Sequence, residues 1–415
     1  MYRCQQVLIH PNHDIKAILE YLCSESNKVY NCATYYARQI WFKAKRIATR
    51  AEICSEMVSN SHFSAMYVSS SQQTCNAVAE AFRSFKELLE VFNKGELSFK
   101  PAAPKYRKSG GLYTISFPKR WLKLTDQGIR VPLGRQVKAW FGIDSFYLQM
   151  PSNLDFSNLK EIRILPRNRC FYAEFVYLVE QVSPVLDGSQ ALGIDHGVNN
   201  WLTCVDTKGN SFIIDGRHLK SVNQWYNKQV STIKENKPQG FWSNKLAAIT
   251  EKRNRQMRDA INKVARLVIN HCLRQGIGTI VFGWNQGNKQ GINLGKKNNQ
   301  RIVQVPTARL KERISQLCEQ HGVKFVETEE ANTSAASFLD GDSLPKHGEK
   351  PVLWKSSGKR VKRGLFRTAQ NQYVNADANG AANIIRKVAT TLGICLKEVG
   401  SGALITPLRV RFWIS

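Results

Sequence analysis

Residues 191–200 read ALGIDHGVNN and place one acidic residue, Asp195, at the end of an apolar run. An ionised carboxylate is costly to remove from water unless another group pairs with it. Two further β-rich segments follow after tight turns, NWLTCVDTKG at 200–209 and NSFIID at 210–215. The pattern predicts a three-stranded meander with Asp195 on its first strand, so the groups that face this carboxylate become the main question.

The composition indicates a folded protein that binds a polyanion. The chain has 415 residues, of which 42% are hydrophobic and 10% aromatic, which is enough for a sizeable core divided between two or three domains. Lysine and arginine number 60 against 32 acidic residues, giving a formal net charge of +28. An excess this large opposes compaction unless a polyanion is bound, so nucleic acid is the expected partner.

Neither a membrane protein nor a cysteine-based metal site is indicated. The sequence has no run of 18 apolar residues, and its first residues, MYRCQQVLIHPNHD, lack the features of a signal peptide. We therefore expect a cytoplasmic protein with no membrane partner. The ten cysteines include no CxxC pair, which favours reduced and mostly buried thiols over disulfides or zinc sites.

Helical and β-rich patterns alternate along the chain. Residues 13–98 carry apolar side chains at helical spacing, whereas residues 1–12 and 99–188 contain short β-rich runs broken by Gly and Pro. This predicts a small β-barrel interrupted by a helical insertion. The later predicted elements are a long helix at 243–274, a buried strand at 276–285, a helix within 305–322 and a strand within 323–334.

The long helix predicted at 243–274 has an apolar and a basic face. The apolar stripe comprises Leu246, Ile249, Met257, Ile261, Val264 and Val268, and the opposite face carries Lys252, Arg255, Arg258, Lys263 and Arg266. The basic face is expected to meet phosphate. Arg253 falls within the apolar stripe, where it either extends to water or holds an internal carboxylate or phosphate.

Other basic residues are also expected to contact nucleic acid. Residues 346–367 contain eight Lys or Arg and one Glu, a run that is either a solvated loop or a salt-sensitive nucleic-acid contact, and we favour the contact. The individual residues assigned to nucleic-acid binding outside the long helix are Lys105, Arg107, Lys296, Lys297, Lys359, Arg360, Lys362 and Arg363.

A second candidate acid, Asp377, lies in VNADANGAANIIRKVA at 374–389, before a helix rich in small residues. The alternative role for Asp377 is a helix N-cap. The flanking Asn375 and Asn379 favour a ligand role for Asp377. So do the small residues that follow, because they let the helix approach a sheet closely. Phosphodiester hydrolysis by two metal ions needs several carboxylates at one end of a sheet, and Mg²⁺ prefers oxygen ligands.

A resemblance to a known family rests on four segments: LGIDHGVNNWLTCVD, KRNRQMRDAINKVARLVINHCLRQGIGTIVFG, PKYRKSGGLYTISF and VNADANGAANI. Together they resemble the TnpB proteins of bacterial insertion sequences, which are RNA-guided RuvC-type endonucleases related to type V CRISPR effectors. The resemblance implies an α+β multidomain fold, in which a wedge β-barrel with a helical recognition insertion precedes an RNase H-like (RuvC) α/β nuclease domain.

The same resemblance divides the rest of the chain and implies its partners. The nuclease domain would comprise residues 189–334 and, with the C-terminal tail, residues 373–415. A basic loop at 335–372 would lie between these parts. The partners would be a guide RNA and double-stranded target DNA, in a prokaryotic cytoplasm and close to the nucleoid.

The chain departs from the family pattern at the glutamate that most members carry after the strand TIVFGWN. The matching position is Gly283, which has no ligand atom. A subset of the family resembles this chain and supplies its glutamate from the neighbouring strand, at a position that corresponds to Glu330. Glu327 is the second candidate, because one side-chain alternation could present it instead. The alternative for the segment ETEE is an exposed acidic turn.

The zinc ribbon of the family is also missing. Ala335, Ala336 and Ser337 stand where cysteines are expected, so no zinc is predicted and residues 335–372 are expected to form a metal-free basic loop at the target-strand entrance.

These observations predict an RNA-guided DNA endonuclease in which Asp195, Glu330 and Asp377 hold two Mg²⁺ ions. One alternative is a nuclease-inactive, RNA-guided repressor, in which Gly283 records the loss of the site. Another is a transposase that cuts DNA without RNA.

Overall fold

In the computed structural model, the described residues are 2–179, 184–285 and 305–414. The chain divides into two compact units, residues 1–180 and residues 181–415. Lys296 and Lys297, which the sequence assigns to nucleic-acid binding, lie outside the described residues.

The first unit is largely helical up to residue 93. Asn12 caps its first helix by accepting a hydrogen bond from the backbone N–H of Ile15 at 2.9 Å. Thr49 and Glu52 form a capping box at the start of the second. The helices of this unit are α1 (His13–Ala44), α2 (Arg50–Met57), α3 (Ser61–Ser64), α4 (Val68–Asn93) and α5 (Arg135–Phe141). The helices predicted within residues 13–98 are therefore present.

The strands of the first unit form two separate antiparallel sheets. They are β1 (Tyr2–Ile9), β2 (Ile115–Pro118), β3 (Lys123–Thr125), β4 (Gly128–Pro132), β5 (Ser145–Leu148), β6 (Leu159–Arg167) and β7 (Cys170–Leu178). One sheet has the order β1-β7-β6-β2 and the other β3-β4-β5. A helical turn at Lys119–Trp121 separates β2 from β3. The single wedge barrel expected over 1–12 and 99–188 is thus not confirmed by the described ladders.

The second unit is built on a mixed six-stranded sheet. The strands of this sheet are β8 (Asp187–His196), β9 (Asn200–Asp206), β10 (Ser211–Asp215), β11 (Ile277–Gly283), β12 (Lys324–Thr328) and β16 (Leu408–Val410). A separate small sheet contains β13 (Lys359–Lys362), β14 (Leu365–Arg367) and β15 (Tyr373–Asn375). The large sheet has the order β12-β11-β8-β9-β10-β16. β8, β9 and β10 pair antiparallel, so the predicted meander is confirmed. β11 runs parallel to β8 and β12, and β16 runs parallel to β10.

Helices of the second unit cover this sheet. They are α6 (Arg217–Lys234), α7 (Asn244–Gln275), α8 (Thr307–His321), α9 (Ala376–Leu392) and α10 (Ser401–Ile405). The long helix predicted at 243–274 is confirmed, and it ends at Gly276 in a left-handed conformation with φ of 65°. Met257, Ile261, Val264 and Val268 of its apolar stripe are buried. No helix among the described residues has both the length and the apolar character needed to cross a membrane.

α9 lies directly against β8 because both elements carry glycine at the contact. A side chain at Gly193 of β8 would overlap the carbonyl oxygen of Ala381 and the side chain of Ile385. A Cβ atom at Gly380 of α9 would stand 2.9 Å from Oδ2 of Asp195. The close approach brings the start of α9 to the end of the strand that carries Asp195.

Gly193→Ala is expected to destabilise the second unit by about 3 kcal/mol, because its Cβ has no room beside the α9 backbone. Chemical denaturation followed by circular dichroism measures this change. Gly188→Ala, on the same strand but with no heavy atom within 4 Å of the added Cβ, is the matched control. Equal stability of the two variants would contradict the packing that we describe.

The segment 335–372 differs from the expected loop, because it contains β13 and β14, which pair with β15 in a small antiparallel sheet. The Asp342 carboxylate joins two of its turns. It accepts hydrogen bonds from the backbone N–H of Ser337 at 2.7 Å, from Oγ of Ser356 at 3.1 Å and from the backbone N–H of Ser357 at 3.1 Å. These hydrogen bonds order the turns around one half-buried acceptor.

Candidate active site

Asp195 lies near the end of β8, between β11 and β9 in the sheet. The backbone N–H of His196 donates to its carboxylate. Because β8 is an inner strand covered by α9, the carboxylate is removed from much of the solvent, and this burial is the largest cause of a pKa well above its ordinary value. The nearby carboxylates of Glu330 and Asp377 raise the pKa further, while Arg360 lowers it.

Asp377 lies in the first turn of α9 but is not the N-cap. Asn375 has that role, since its Oδ1 accepts hydrogen bonds from the backbone N–H groups of Asp377 and Ala378, both at 3.0 Å. The Asp377 carboxylate instead accepts from Nδ2 of Asn200 at 2.7 Å and from Arg360 Nη2 at 3.3 Å. The alternative role considered for Asp377, a helix cap, is therefore wrong.

Glu330 follows β12 and presents a buried oxygen with no hydrogen-bond partner among the described residues, Oε1. Its backbone N–H donates to Oδ1 of Asn285 at 2.9 Å, which fixes the chain after the strand. His196 Nε2 lies 3.5 Å from Oε1. Burial raises the pKa of Glu330 to about 7. An acceptor that is buried and unsatisfied in this way is suited to a cation or a proton donor.

Glu330 also fills the space beside Gly283. A Cβ atom at position 283 would lie 2.9 Å from Cγ and 2.9 Å from Oε1 of Glu330, and 2.5 Å from Cδ1 of Ile384. Position 283 and Glu330 thus point into one small volume, which can hold a side chain from only one of them.

The other two glutamates of the segment ETEE are engaged elsewhere. Oε1 of Glu327 accepts a hydrogen bond from Nζ of Lys311 at 2.6 Å, and Oε1 of Glu329 accepts one from Nζ of Lys387 at 2.7 Å. The structure therefore places Glu330, rather than Glu327, close to Asp195.

The three acids have the chemistry of a site for divalent cations, although their side chains are not closed around one point. In residues 2–179, 184–285 and 305–414, no three His, Cys, Asp or Glu side chains are grouped closely enough to enclose a metal ion. Their oxygens are hard donors of the kind that Mg²⁺ prefers. A cation between them would relieve the mutual repulsion that raises the pKa of Asp195 and would satisfy Oε1 of Glu330.

Without divalent cations, Glu330→Gln is expected to stabilise the protein at pH 8 by about 2 kcal/mol, or about 4 °C in Tm. The folded-state pKa of Glu330, about 7, lies above its ordinary value of 4.5. Between pH 4.5 and 7, Glu330 is protonated in the folded state and ionised in the unfolded state. The free energy of unfolding of the wild type therefore falls as the pH rises through this range.

Thermal unfolding in EDTA from pH 4.5 to 8 measures this effect, and the advantage of Glu330→Gln should vanish near pH 4.5. Adding Mg²⁺ should raise the Tm of the wild type more than that of the variant. Glu327→Gln, a matched change at an exposed acid, should not raise the Tm at pH 8. Equal Tm values for Glu330→Gln and wild type at pH 8 would contradict the buried ionisation.

Two of the three candidate acids border an open cleft of about 370 Å³. Asp195 and Asp377 line it together with Asn200 and four arginines, Arg217, Arg360, Arg363 and Arg409. Of these basic and amide groups, only Arg360 and Arg363 are predicted from the sequence. Arg217 could also be found from the sequence, because IIDGR at 213–217 repeats the pattern of an acid at the end of an apolar strand.

Two basic residues of α7 are half-buried and bonded within the second unit. Nε of Arg253 donates to Oδ1 of Asn223 at 2.9 Å, and its guanidinium lies 5.7 Å from the centre of the Tyr226 ring. Burial lowers the pKa of Arg253. Arg258 donates to the buried Glu251 at 2.7 Å, an internal acid that the helical pattern did not account for. Both guanidiniums bind other residues of the second unit, so neither belongs to a continuous, exposed basic face of α7.

The remaining assigned residues lie nearer the surface. On α7, Lys252 and Arg255 are exposed, Lys263 pairs with Asp259 at 3.2 Å, and Arg266 Nη1 lies 3.0 Å from His321 Nε2. In the first unit, Lys105 is exposed and Arg107 stacks 4.3 Å from the centre of the Tyr113 ring. Exposed residues in and after β13 are Lys359, Arg360, Lys362 and Arg363.

A family comparison identifies the segment that carries Asp195. Residues 174–288 match the model of the family OrfB_IS605, described as a probable transposase. The match covers less than a third of the chain and confirms the resemblance to the TnpB family over this segment. No curated protein matches the chain.

Comparison with solved structures gives a related fold. A Cas12f1–sgRNA–target DNA complex is 15% identical, has a TM-score of 0.50 and is matched over 90% of this chain and 83% of that one. The mini-RNA-guided endonuclease Cas_phi3 is 10% identical, with a TM-score of 0.40 and coverage of 93% and 92%. The Cas12f1 match supports a mixed α+β fold similar to that compact protein.

Proposed function

We propose that this chain is an RNA-guided DNA endonuclease of the TnpB type, with an RNase H-like (RuvC) nuclease unit. The observation that carries the proposal is that Glu330 and Asp377, which lie far from Asp195 in sequence, both lie beside it: Oε1 of Glu330 is 3.5 Å from Nε2 of the adjacent His196, and Asp377 lines the same cleft as Asp195. Their proximity is expressed in the pKa of Asp195, which both other carboxylates raise. The family match over residues 174–288 and the nucleic acids in the Cas12f1 complex support the same proposal.

In this proposal, Asp195, Glu330 and Asp377 hold two Mg²⁺ ions through their carboxylate oxygens. Held by these residues, a pair of Mg²⁺ ions would supply activation of water and stabilisation of the leaving oxygen of a phosphodiester. The chain's own residues fix the donors: Asn200 orients Asp377, and Asn285 anchors the backbone of Glu330. Such support matters because outer hydrogen bonds typically change metal affinity or activity by about 10- to 100-fold.

The proposed partners are a guide RNA and double-stranded target DNA. Base pairing with the guide selects the sequence, while the protein contacts backbone and a short flanking motif. The net charge of +28 supports this role, because lysine and arginine contacts with phosphate supply affinity without sequence preference.

The proposal is tested by purifying the full chain with its bound RNA, sequencing that RNA, and supplying plasmids with a matching segment beside randomised bases. Cleavage is expected only with RNA, a match and Mg²⁺. Cleavage without RNA would instead identify a self-sufficient transposase. Guided binding with no cleavage would identify a repressor, and heterogeneous RNA fragments would contradict a dedicated guide.

A further inference from the structure

Two arginines in the cleft, Arg217 and Arg409, bind the same buried carboxylate, that of Asp215. Asp215 is not one of the three candidate metal ligands. Asp215 ends β10 and is only 1% exposed. Arg217 follows it by two residues, and Arg409 comes from β16, the strand that pairs with β10. Both guanidiniums bind the Asp215 carboxylate and also line the cleft beside Asp195.

The contacts to Asp215 fix the orientation of both arginines. Nε of Arg217 donates to Oδ1 at 3.0 Å and to Oδ2 at 2.9 Å, and its Nη2 donates to Oδ2 as well. Nη1 of Arg409 donates to Oδ2 at 3.3 Å. Burial alone would raise the pKa of Asp215, but the hydrogen bonds from Arg217 and the charge of Arg409 lower it. Asp215 therefore remains ionised.

One carboxylate cannot neutralise two guanidiniums, so this group carries an excess positive charge. The Arg217 side chain is 57% exposed and that of Arg409 36% exposed, so both keep surface in the solvent. Each guanidinium also has N–H groups that donate to no other described residue, and these are suited to an anion in the cleft.

The arginine pair is connected to the candidate acids through a single side chain. Nη1 of Arg409 donates to Oδ1 of Asn200 at 3.1 Å, and Nδ2 of Asn200 donates to Oδ2 of Asp377 at 2.7 Å. Two hydrogen bonds thus separate the arginine pair from Asp377. An anion bound by the arginines would lie next to the group bound at the acids.

We propose that Arg217 and Arg409, positioned by Asp215, form a binding site for one phosphodiester of a single nucleic-acid strand, adjacent to the linkage held at the acids. Arginine suits this ligand because its planar fork pairs with two phosphate oxygens. A cleft of about 370 Å³ has the size of a small-ligand pocket and fits one linkage. That this strand is DNA rests on the proposed function.

The test uses the full chain in EDTA, which prevents metal-dependent cleavage. Fluorescence anisotropy measures the binding of a labelled tetrathymidylate, of the same tetranucleotide with neutral methylphosphonate linkages, and of a tetrauridylate. Arg409→Gln and Arg217→Gln are compared with Arg411→Gln, a matched loss of charge at an exposed arginine that does not line the cleft. Circular dichroism checks that each variant is folded.

For the charged DNA tetranucleotide, Arg409→Gln and Arg217→Gln are each expected to weaken binding by about tenfold. The slope of log Kd against log salt should fall by about 0.7 for the lost contact. Binding of the neutral tetranucleotide should not change, and Arg411→Gln should shift affinity by less than about twofold. Arg409→Lys should recover only part of the loss, because lysine lacks the fork.

The proposal is overturned if the charged tetranucleotide binds Arg409→Gln and Arg411→Gln equally, or if the neutral one loses as much affinity as the charged one. If the arginine variants bind tetrauridylate tenfold more weakly but bind tetrathymidylate normally, the two arginines form a phosphate site, but the strand that they bind is not the DNA strand that is cut. Because no cleavage is measured, a protein that fails the guided plasmid test can still pass this one, and the two failures stay distinct.

Discussion

Cleavage of a guided plasmid is expected to fall by roughly 10⁴-fold in Asp195→Asn, the largest effect of any single change we describe. Asp195 is the acid whose pKa responds to both Glu330 and Asp377, so a cation shared between the three carboxylates would depend on it most. Asparagine has almost the same shape and keeps one oxygen, but it removes the negative charge that a metal ion needs.

The loss should not result from unfolding. Asp195→Asn removes a carboxylate whose ionisation burial and two like charges oppose, so its Tm in EDTA at pH 8 should equal or exceed that of the wild type. Asp259→Asn, a matched change at a largely exposed site on α7, should cleave normally. Initial rates of plasmid cleavage measure both variants, and a loss of less than tenfold in Asp195→Asn would remove Asp195 from the centre.

Glu330→Ala is expected to reduce cleavage by roughly 10³-fold, and adding Gly283→Glu in that background is expected to restore part of it. Alanine at 330 opens the volume that the Glu330 side chain fills beside Gly283. A glutamate at position 283 then enters this volume from the neighbouring strand. Recovery of about tenfold over Glu330→Ala would show that one acidic group is required there, whichever strand supplies it.

Gly283→Glu with Glu330 retained is the informative control. Its new side chain would meet both Glu330 and Ile384, so we expect it to lower the Tm and the cleavage rate together. Wild-type cleavage by Glu330→Ala would exclude Glu330 as a ligand. A double variant no better than Glu330→Ala would show that the two positions do not serve one group.

Much of the second unit could be predicted because its elements have strong periodic patterns. The meander with Asp195, the helix α7 and the strand β11 all follow from apolar runs punctuated by Gly and polar turns. The start of α9 was also predicted, but only the structure shows that Asn375 caps this helix and leaves the Asp377 carboxylate available.

The features that were missed depend on contacts between distant residues. Asp215 and Arg409 are 194 positions apart in sequence, and the short strand β16 that joins them has no periodic signal of its own. The pairing of Arg258 with the buried Glu251 was missed for a different reason. Helical periodicity places charged residues on the solvent-facing side and does not predict a buried ion pair. The separation of the first unit's strands into two sheets depends on ladder pairing that local patterns do not specify.

The parallel pairing of β16 with β10, and the docking of α9 on β8, affect the order in which the protein can mature on the ribosome. Asp195 and Glu330 are synthesised first, but Asp377 and Arg409 come from late-emerging segments. Synthesis proceeds from the amino terminus, and domains fold as they emerge. A nascent chain that stalls before residue 377 has the basic residues of α7 and β13 but lacks Asp377, so under the proposed function it would bind nucleic acid without cutting it.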